Sequence, residues 1–138
     1  MSDYDLEKYE KVHLWVGTNF SSESDYKKYF ELDYSTEGDF DDPNYKLCDF
    51  CKDVNTKWYD EDFIGIIPRR ETEVGIDEIL NDAAIDQNER VRAETACKSL
   101  GILKANAIFW YADADLVVSP SADNSYNGLS YIGVFEGD

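Results

Sequence analysis

The chain has 138 residues, of which 43% are hydrophobic and 14% aromatic, and its formal charge at pH 7 is −17. That length makes one domain, able to bury a core without disulfides or metals, and the aromatic content excludes a disordered acidic tail. So negative a field repels nucleic-acid phosphates and anionic lipid and attracts basic proteins and metal cations, so neither nucleic acid nor membrane is an expected partner.

Residues 1–10 are acidic and expected to fray. MSDYDLEKYEK is charged throughout, unlike a signal peptide. KVHLWVG, Lys11 to Gly17, alternates cleanly. Val12, Leu14 and Val16 point one way, His13 and Trp15 the other, which predicts a strand with one face on the core. Ser22 and Asp25 then form a capping-box-like pair, with Phe20 as a candidate staple. Tyr26, Tyr29 and Phe30 recur at helical spacing, with Lys27 and Lys28 outside.

Ser35 to Tyr45 reads as a loop, in which Glu37, Asp39, Asp41 and Asp42 repel one another around Gly38 and Pro43. A short helix is expected near Tyr45 to Val54, with Leu47, Phe50, Cys51 and Val54 on one face. Phe63 to Ile67 is an apolar strand that Pro68 ends. A helix over Gly75 to Ala84 carries the stripe Ile76, Ile79, Leu80, Ala83 and Ala84. The next, from about Glu89 to Ser99, is offered a capping box by Asp86 and Glu89. Ala93, Ala96, Cys97 and Leu100 line one side of it. Gly101 suits a left-handed C-terminal residue, and Ile102 can fold back on Cys97.

Ala107 to Tyr111 and Leu129 to Glu136 are the last strands. They read as an antiparallel hairpin with a long polar tip holding Asp113-Ala-Asp115 and the run Pro120 to Gly128. The expected fold is α+β, one domain over 1–138: a mostly antiparallel sheet of about four strands packed with three to four helices.

Candidate chemistry is sparse. Cys48-Asp-Phe-Cys51 is a C-x-x-C, but zinc normally needs a second pair of ligands, and the spacing of Cys97 and His13 does not call for them. A thioredoxin-type pair would follow a strand and begin a helix, whereas an acidic loop precedes this one. Neighbouring carboxylates should raise the thiol pKa values, and Cys51 is expected in the core. His13 is the only histidine, and no acid is marked to hold it for catalysis. Asp39-Phe-Asp41-Asp42-Pro and Asp113-Ala-Asp115 break the pattern of a calcium loop. Phosphate-cradling glycine motifs are absent, and bases cluster only at Arg69-Arg70 and Lys27-Lys28. No apolar run reaches the roughly 20 residues of a membrane span. We expect a cytoplasmic protein with reduced thiols, no cofactor and no enzymatic activity.

WYDEDFIG, Trp58 to Gly65, places three carboxylates after two large aromatics. Strand alternation puts Trp58, Asp60 and Asp62 on one side and Tyr59 and Glu61 on the other. Aromatic anchors ringed by carboxylates suit the docking of a basic partner. The other reading is that the aromatics are core and the acids a solvated strand start. The residues by themselves leave both open.

WVG (Trp15 to Gly17), WYDEDFIG, NAIFWYADAD (Asn106 to Asp115) and YIGVFEGD (from Tyr131) occur in an order and spacing that resemble the immunity protein 22 family of bacterial polymorphic toxin systems. The resemblance runs from about Lys11 to Glu136. It implies a small cytoplasmic, non-enzymatic protein that binds and neutralises a toxin domain. It carries no contact residue with it. The partner-binding candidates are therefore a surface reading: Asp39, Asp41, Asp42, Trp58, Tyr59, Asp60, Glu61, Asp62, Asp113 and Asp115. The acidic insertion at Ser35 to Pro43 and the Pro120 to Gly128 tip depart from the resemblance and are expected to set specificity. A basic toxin, such as a nuclease, fits the charge. The competing readings are a metal-assisted hydrolase using clustered carboxylates and His13, and a broad acidic mimic of nucleic acid. A monomer or weak dimer is expected.

Overall fold

The computed structural model describes residues 10–32, 43, 46, 48–54, 56, 59, 63–83, 85–114, 116, 118 and 126–137. Strand β1 (Lys11–Gly17) is buried from its second residue to its last. Val12, Leu14 and Val16 alternate with His13 and Trp15, and none of the five exceeds 3% exposure. Both faces are therefore covered, which corrects the expectation of one core face. A strand apolar on both faces belongs in the middle of a sheet.

α1 (Glu23–Lys28) and α2 (Asp49–Asp53) follow β1. Next come β2 (Ile64–Ile66), β3 (Val74–Gly75), α3 (Ile76–Ile79) and α4 (Arg90–Ser99). β4 (Lys104–Ala105), β5 (Ala107–Ala112) and β6 (Leu129–Glu136) complete the order. The main sheet runs β2-β5-β1-β6, antiparallel throughout, and β3 pairs with β4 apart from it. The α+β expectation holds. The expected hairpin of the last two strands does not, because β1 lies between β5 and β6. Val12 stands opposite Ala112 on one side and Phe135 on the other. The β1–β6 register slips between Leu14 and Trp15, next to Gly133, whose φ of 144° suits glycine.

The sheet separates two cores of different chemistry. On one face Trp15, Phe109 and Tyr111 meet Tyr26, Tyr29, Phe30 and Phe50 from α1, α2 and the chain beside them. Trp15 stacks on Phe109 at 4.8 Å, and Phe50 meets Trp15 edge-on at 5.5 Å, the offset geometries that ring quadrupoles favour. On the other face Val12, Leu14, Val16 and Ile108 meet Ile76, Ile79, Ala93 and Cys97 of α3 and α4. Burying each large side chain contributes about 1.5–3 kcal/mol.

Local signals act largely as expected. Ser22 Oγ accepts the Asp25 N–H at 3.1 Å and starts α1. Phe20 is no staple, however, since it is 65% exposed. α3 gives way to a 3₁₀ turn over Leu80–Asp82, and Ala83 is extended, so the helix expected to Ala84 stops short. Asp86 caps the turn before α4 through the Asn88 N–H at 2.8 Å, but Glu89 does not complete the box. Asp86 N–H goes instead to the Glu136 carbonyl at 2.8 Å. Gly101, at φ 81°, ends α4. Its N–H reaches the Lys98 carbonyl at 3.0 Å and that of Ile102 the Cys97 carbonyl at 2.9 Å, a Schellman closure.

Candidate binding surface at the ends of the sheet

Ile64 stands opposite Tyr111, so the start of β2 and the end of β5 share one end of the sheet. Of the residues expected to dock a partner, Tyr59 and Asp113 are described. Tyr59 belongs to the core: it is 2% exposed, its hydroxyl donates to the Phe30 carbonyl, and its ring meets Phe50 edge-on at 5.2 Å. The surface expectation for Tyr59 is corrected, because the aromatic layer buries its ring and satisfies its hydroxyl together. Asp113 follows β5, half-buried, and its N–H donates to the Lys11 carbonyl at 3.0 Å. Asp39, Asp41, Asp42, Trp58, Asp60, Glu61, Asp62 and Asp115 lie outside the described residues, as do Leu47, Ala84, residues 1–9 and 120–125.

His13 is held at both nitrogens. Nε2 is 2.9 Å from the Asp113 carbonyl oxygen and Nδ1 is 2.7 Å from the Tyr131 hydroxyl. A carbonyl only accepts, so Nε2 carries the hydrogen and Nδ1 accepts from Tyr131. Burial lowers the His13 pKa from 6.5, against the opposing pull of Asp113. Burial likewise pushes the Tyr131 hydroxyl up to about 12. The neutral ring joins β1 to β6 and to the end of β5. Among the described residues no three His, Cys, Asp or Glu side chains are grouped as a metal site.

Cys48 begins α2, and its sulfur accepts the Cys51 N–H at 3.2 Å. The two sulfurs lie 3.0 Å apart, and both residues are buried. Hydrogen bonding from Cys51 lowers the Cys48 pKa and outweighs burial and the nearby Asp49. The expected rise from carboxylates is thus corrected for Cys48. Cys51 moves up, through its bond to Cys48 and its burial.

The opposite end of the sheet holds a polar network that sequence reasoning missed. After Gly17 the chain turns through Thr18 to Ser21 into α1. Asn106, 1% exposed, accepts the Asn19 N–H at 2.8 Å and donates to the Asn19 and Arg70 carbonyls at 2.9 and 3.2 Å. Arg69 Nη1 donates to the Asn19 carbonyl, Asn19 Oδ1 and the Ser21 carbonyl at 3.0, 2.8 and 2.7 Å. Its guanidinium lies 4.4 Å from the centre of the Tyr26 ring. Asn19 Nδ2 donates to the Asn127 carbonyl at 2.6 Å. Asn127 and Gly128, at φ 60° and 88°, form a two-residue hairpin turn closed by Tyr126 and Leu129. Asn-Gly is the strongest short hairpin signal, and here it makes a tight turn of its own within the stretch expected to be one long polar tip.

Three grooves adjoin this pinned loop, of about 510, 520 and 230 Å3. Phe20 lines the smallest, with Arg69, Glu23 and Glu71. Leu103 lines another, beside Thr18, Glu73 and Lys104. Phe20 and Leu103 are 65% and 66% exposed.

These features define a small α+β scaffold: a sheet covered on both faces, with loops and charge presented at its ends. Residues 12–138 match the family described as Immunity protein 22, and the chain belongs to that family. No curated protein and no solved structure matches it. No helix among the described residues is long and apolar enough to cross a membrane.

Proposed function

We propose that this chain binds one cognate bacterial toxin domain and neutralises it in the cytoplasm, acting as a monomer or weak dimer without catalysis of its own. The carrying observation is membership of an immunity-protein family over residues 12–138, joined to a net charge of −17. That charge favours a basic toxin, such as a nuclease, whose groove the protein would cover in competition with phosphates. Asp39, Asp41, Asp42, Trp58, Asp60, Glu61, Asp62, Asp113 and Asp115 are the proposed steering and docking residues; Tyr59 is not among them. His13 has no nitrogen to spare for a metal or a proton transfer, which speaks against the hydrolase reading.

The test is co-expression with the toxin-like domain encoded beside the gene, scored as growth rescue, followed by binding kinetics. Rescue with tight, salt-sensitive 1:1 association is expected. Asp60→Lys with Asp62→Lys should slow association more than it speeds dissociation. No rescue with both proteins soluble counts against the reading. Equal affinity for unrelated basic proteins would favour the broad mimic instead.

A further inference from the structure

We infer that the toxin is anchored at the end of the sheet where β1 gives way to α1, with Phe20 as the inserted side chain and Glu71 and Glu73 as an acidic rim. This rests on the toxin-binding reading and names the surface that performs it. The occupant is a protein surface with a small apolar pocket surrounded by Lys and Arg.

The argument begins with Phe20, a large apolar side chain 65% in solvent. One exposed aromatic is ordinary on a loose loop. This loop is not loose. On either side of Phe20, Asn19 is bonded by Asn106 and Arg69 through both backbone and side chain, and the Ser21 carbonyl accepts from Arg69. Asn106 is almost fully buried, and the Arg69 side chain is 10% exposed. Two polar side chains are thus taken out of water to hold the backbone around a phenyl ring that adds nothing to either core. Holding a contact residue in place before binding removes the ordering cost of association. Binding interfaces concentrate energy in a few aromatic anchors of this kind.

Charge selects the occupant. Glu23, Glu71 and Glu73 are exposed around the loop. The two arginines beside them are engaged within the protein: Arg69 with the loop and, at 3.5 Å, with Glu23, which Lys27 also meets at 3.5 Å, and Arg70 with Asp82 and Glu78 at 3.1 and 3.5 Å. The acidic charge of the rim is therefore that of Glu71 and Glu73, the latter also accepting the Thr18 hydroxyl at 2.6 Å. Leu103, in the groove beyond Thr18, extends the apolar part of the surface. On this inference the acids proposed above steer through the field of the whole molecule, which requires no contact, and Phe20 rather than Trp58 is the docking anchor.

Binding of the toxin-like domain encoded beside the gene decides this, with Phe20→Ala, Phe20→Asp and Glu71→Lys compared with wild type. Phe20→Ala should weaken binding at least tenfold through a faster off-rate, Phe20→Asp further still, both with an unchanged melting temperature. Glu71→Lys should slow association and flatten its salt dependence. In the wild-type complex, amide exchange should slow at Thr18 to Ser21. Phe20→Ala binding like wild type, or protection confined to the end of the sheet near Asp113, overturns the anchor while the toxin-binding reading stands. Failure of wild type to bind overturns both.

Discussion

Glu89 and Arg92, three residues apart, together close the outer edge of β6. Glu89 accepts the Glu136 N–H at 2.8 Å, and Arg92 donates to the Val134 carbonyl at 3.1 Å. The two side chains also bond each other, and the Arg92 guanidinium lies 4.5 Å from the centre of the Phe135 ring. An open strand edge is a template for pairing with another chain. Here an ion pair from the helix side occupies two of its backbone groups.

That arrangement sets a pH dependence. Hydrogen bonds from Arg92, then Glu136, lower the Glu89 pKa from 4.5 to about 2. A carboxyl depressed in the folded state adds stability that is complete above its unfolded value and is lost as pH falls toward the folded one. Urea midpoints of wild type and Glu89→Gln should therefore differ at about pH 6 and converge near pH 2. A gap constant across that window would show that the carboxylate charge is not what stabilises the edge.

His13 should titrate below its ordinary value. Burial depresses its pKa, so the neutral ring stabilises the fold fully above 6.5, and this contribution falls as acid charges the ring. As the only histidine, it gives an unambiguous ring resonance by NMR. The midpoint should lie under 6.5 in wild type. In Tyr131→Phe, which removes the hydroxyl partner of Nδ1, the protein should melt lower. A wild-type midpoint at or above 6.5 would contradict the buried, doubly bonded ring.

Gly65 should tolerate no side chain. It stands opposite Trp110, and a methyl group there would come within 2.1 Å of the indole. Gly65→Ala must push the ring aside or bend β2 off β5, at a cost of about 1–3 kcal/mol. Thermal melting would show it. Trp110→Ala in the same chain should recover part of the loss, and absence of any destabilisation would mean that the ring does not cover the glycine.

Asn106→Ala should lower the melting temperature and loosen the Phe20 loop together. It leaves the Asn19 N–H without the acceptor it has and deprives two carbonyls of a donor. The Asn19 carbonyl keeps Arg69 as a donor, so the Asn19 N–H and the Arg70 carbonyl are the groups left short, at about 1–3 kcal/mol for each that stays shielded from water. Hydrogen exchange at Asn19 to Ser21 should quicken well before global unfolding. Unchanged exchange there would mean that Arg69 alone holds the loop.

The thiols should be silent in the native state. Cys48, Cys51 and Cys97 are all buried, and burial pushes Cys97 up to about 12. A thiol reagent should label none of the three until denaturant is added. Fast labelling of one native thiol would place it at the surface.

Much of the fold could be read from the residues. The Ser22 cap, the Gly101 ending with Ile102 folded back, and the strands Lys11–Gly17 and Leu129–Glu136 follow from signals within a few positions of one another. The charge and the four short stretches that point to the immunity protein 22 family are equally local. The site was less legible. Tyr59 sat in a run that looked like surface, and Phe20 in a place that looked like a staple. Nothing in the residues around Asn106 marks it as the brace of a distant loop.

What the sequence determined by itself was the position of the main strands and helices, though not all of their ends nor the short pair β3 and β4, together with the sign of the protein's field and its kinship. Period and capping reach only a few residues along the chain, so these follow without knowledge of the rest. The tertiary structure decided that β1 is central, that Trp15 and Tyr59 are core, and that Phe20 stands in water on a braced loop. Each depends on partners far away in sequence: Ala112 and Phe135 on the two sides of Val12, Asn106 and Arg69 around Asn19. Alternation along one strand shows that it has two faces. Which layers cover those faces is settled by the burial of distant apolar surface and the pairing of distant backbone.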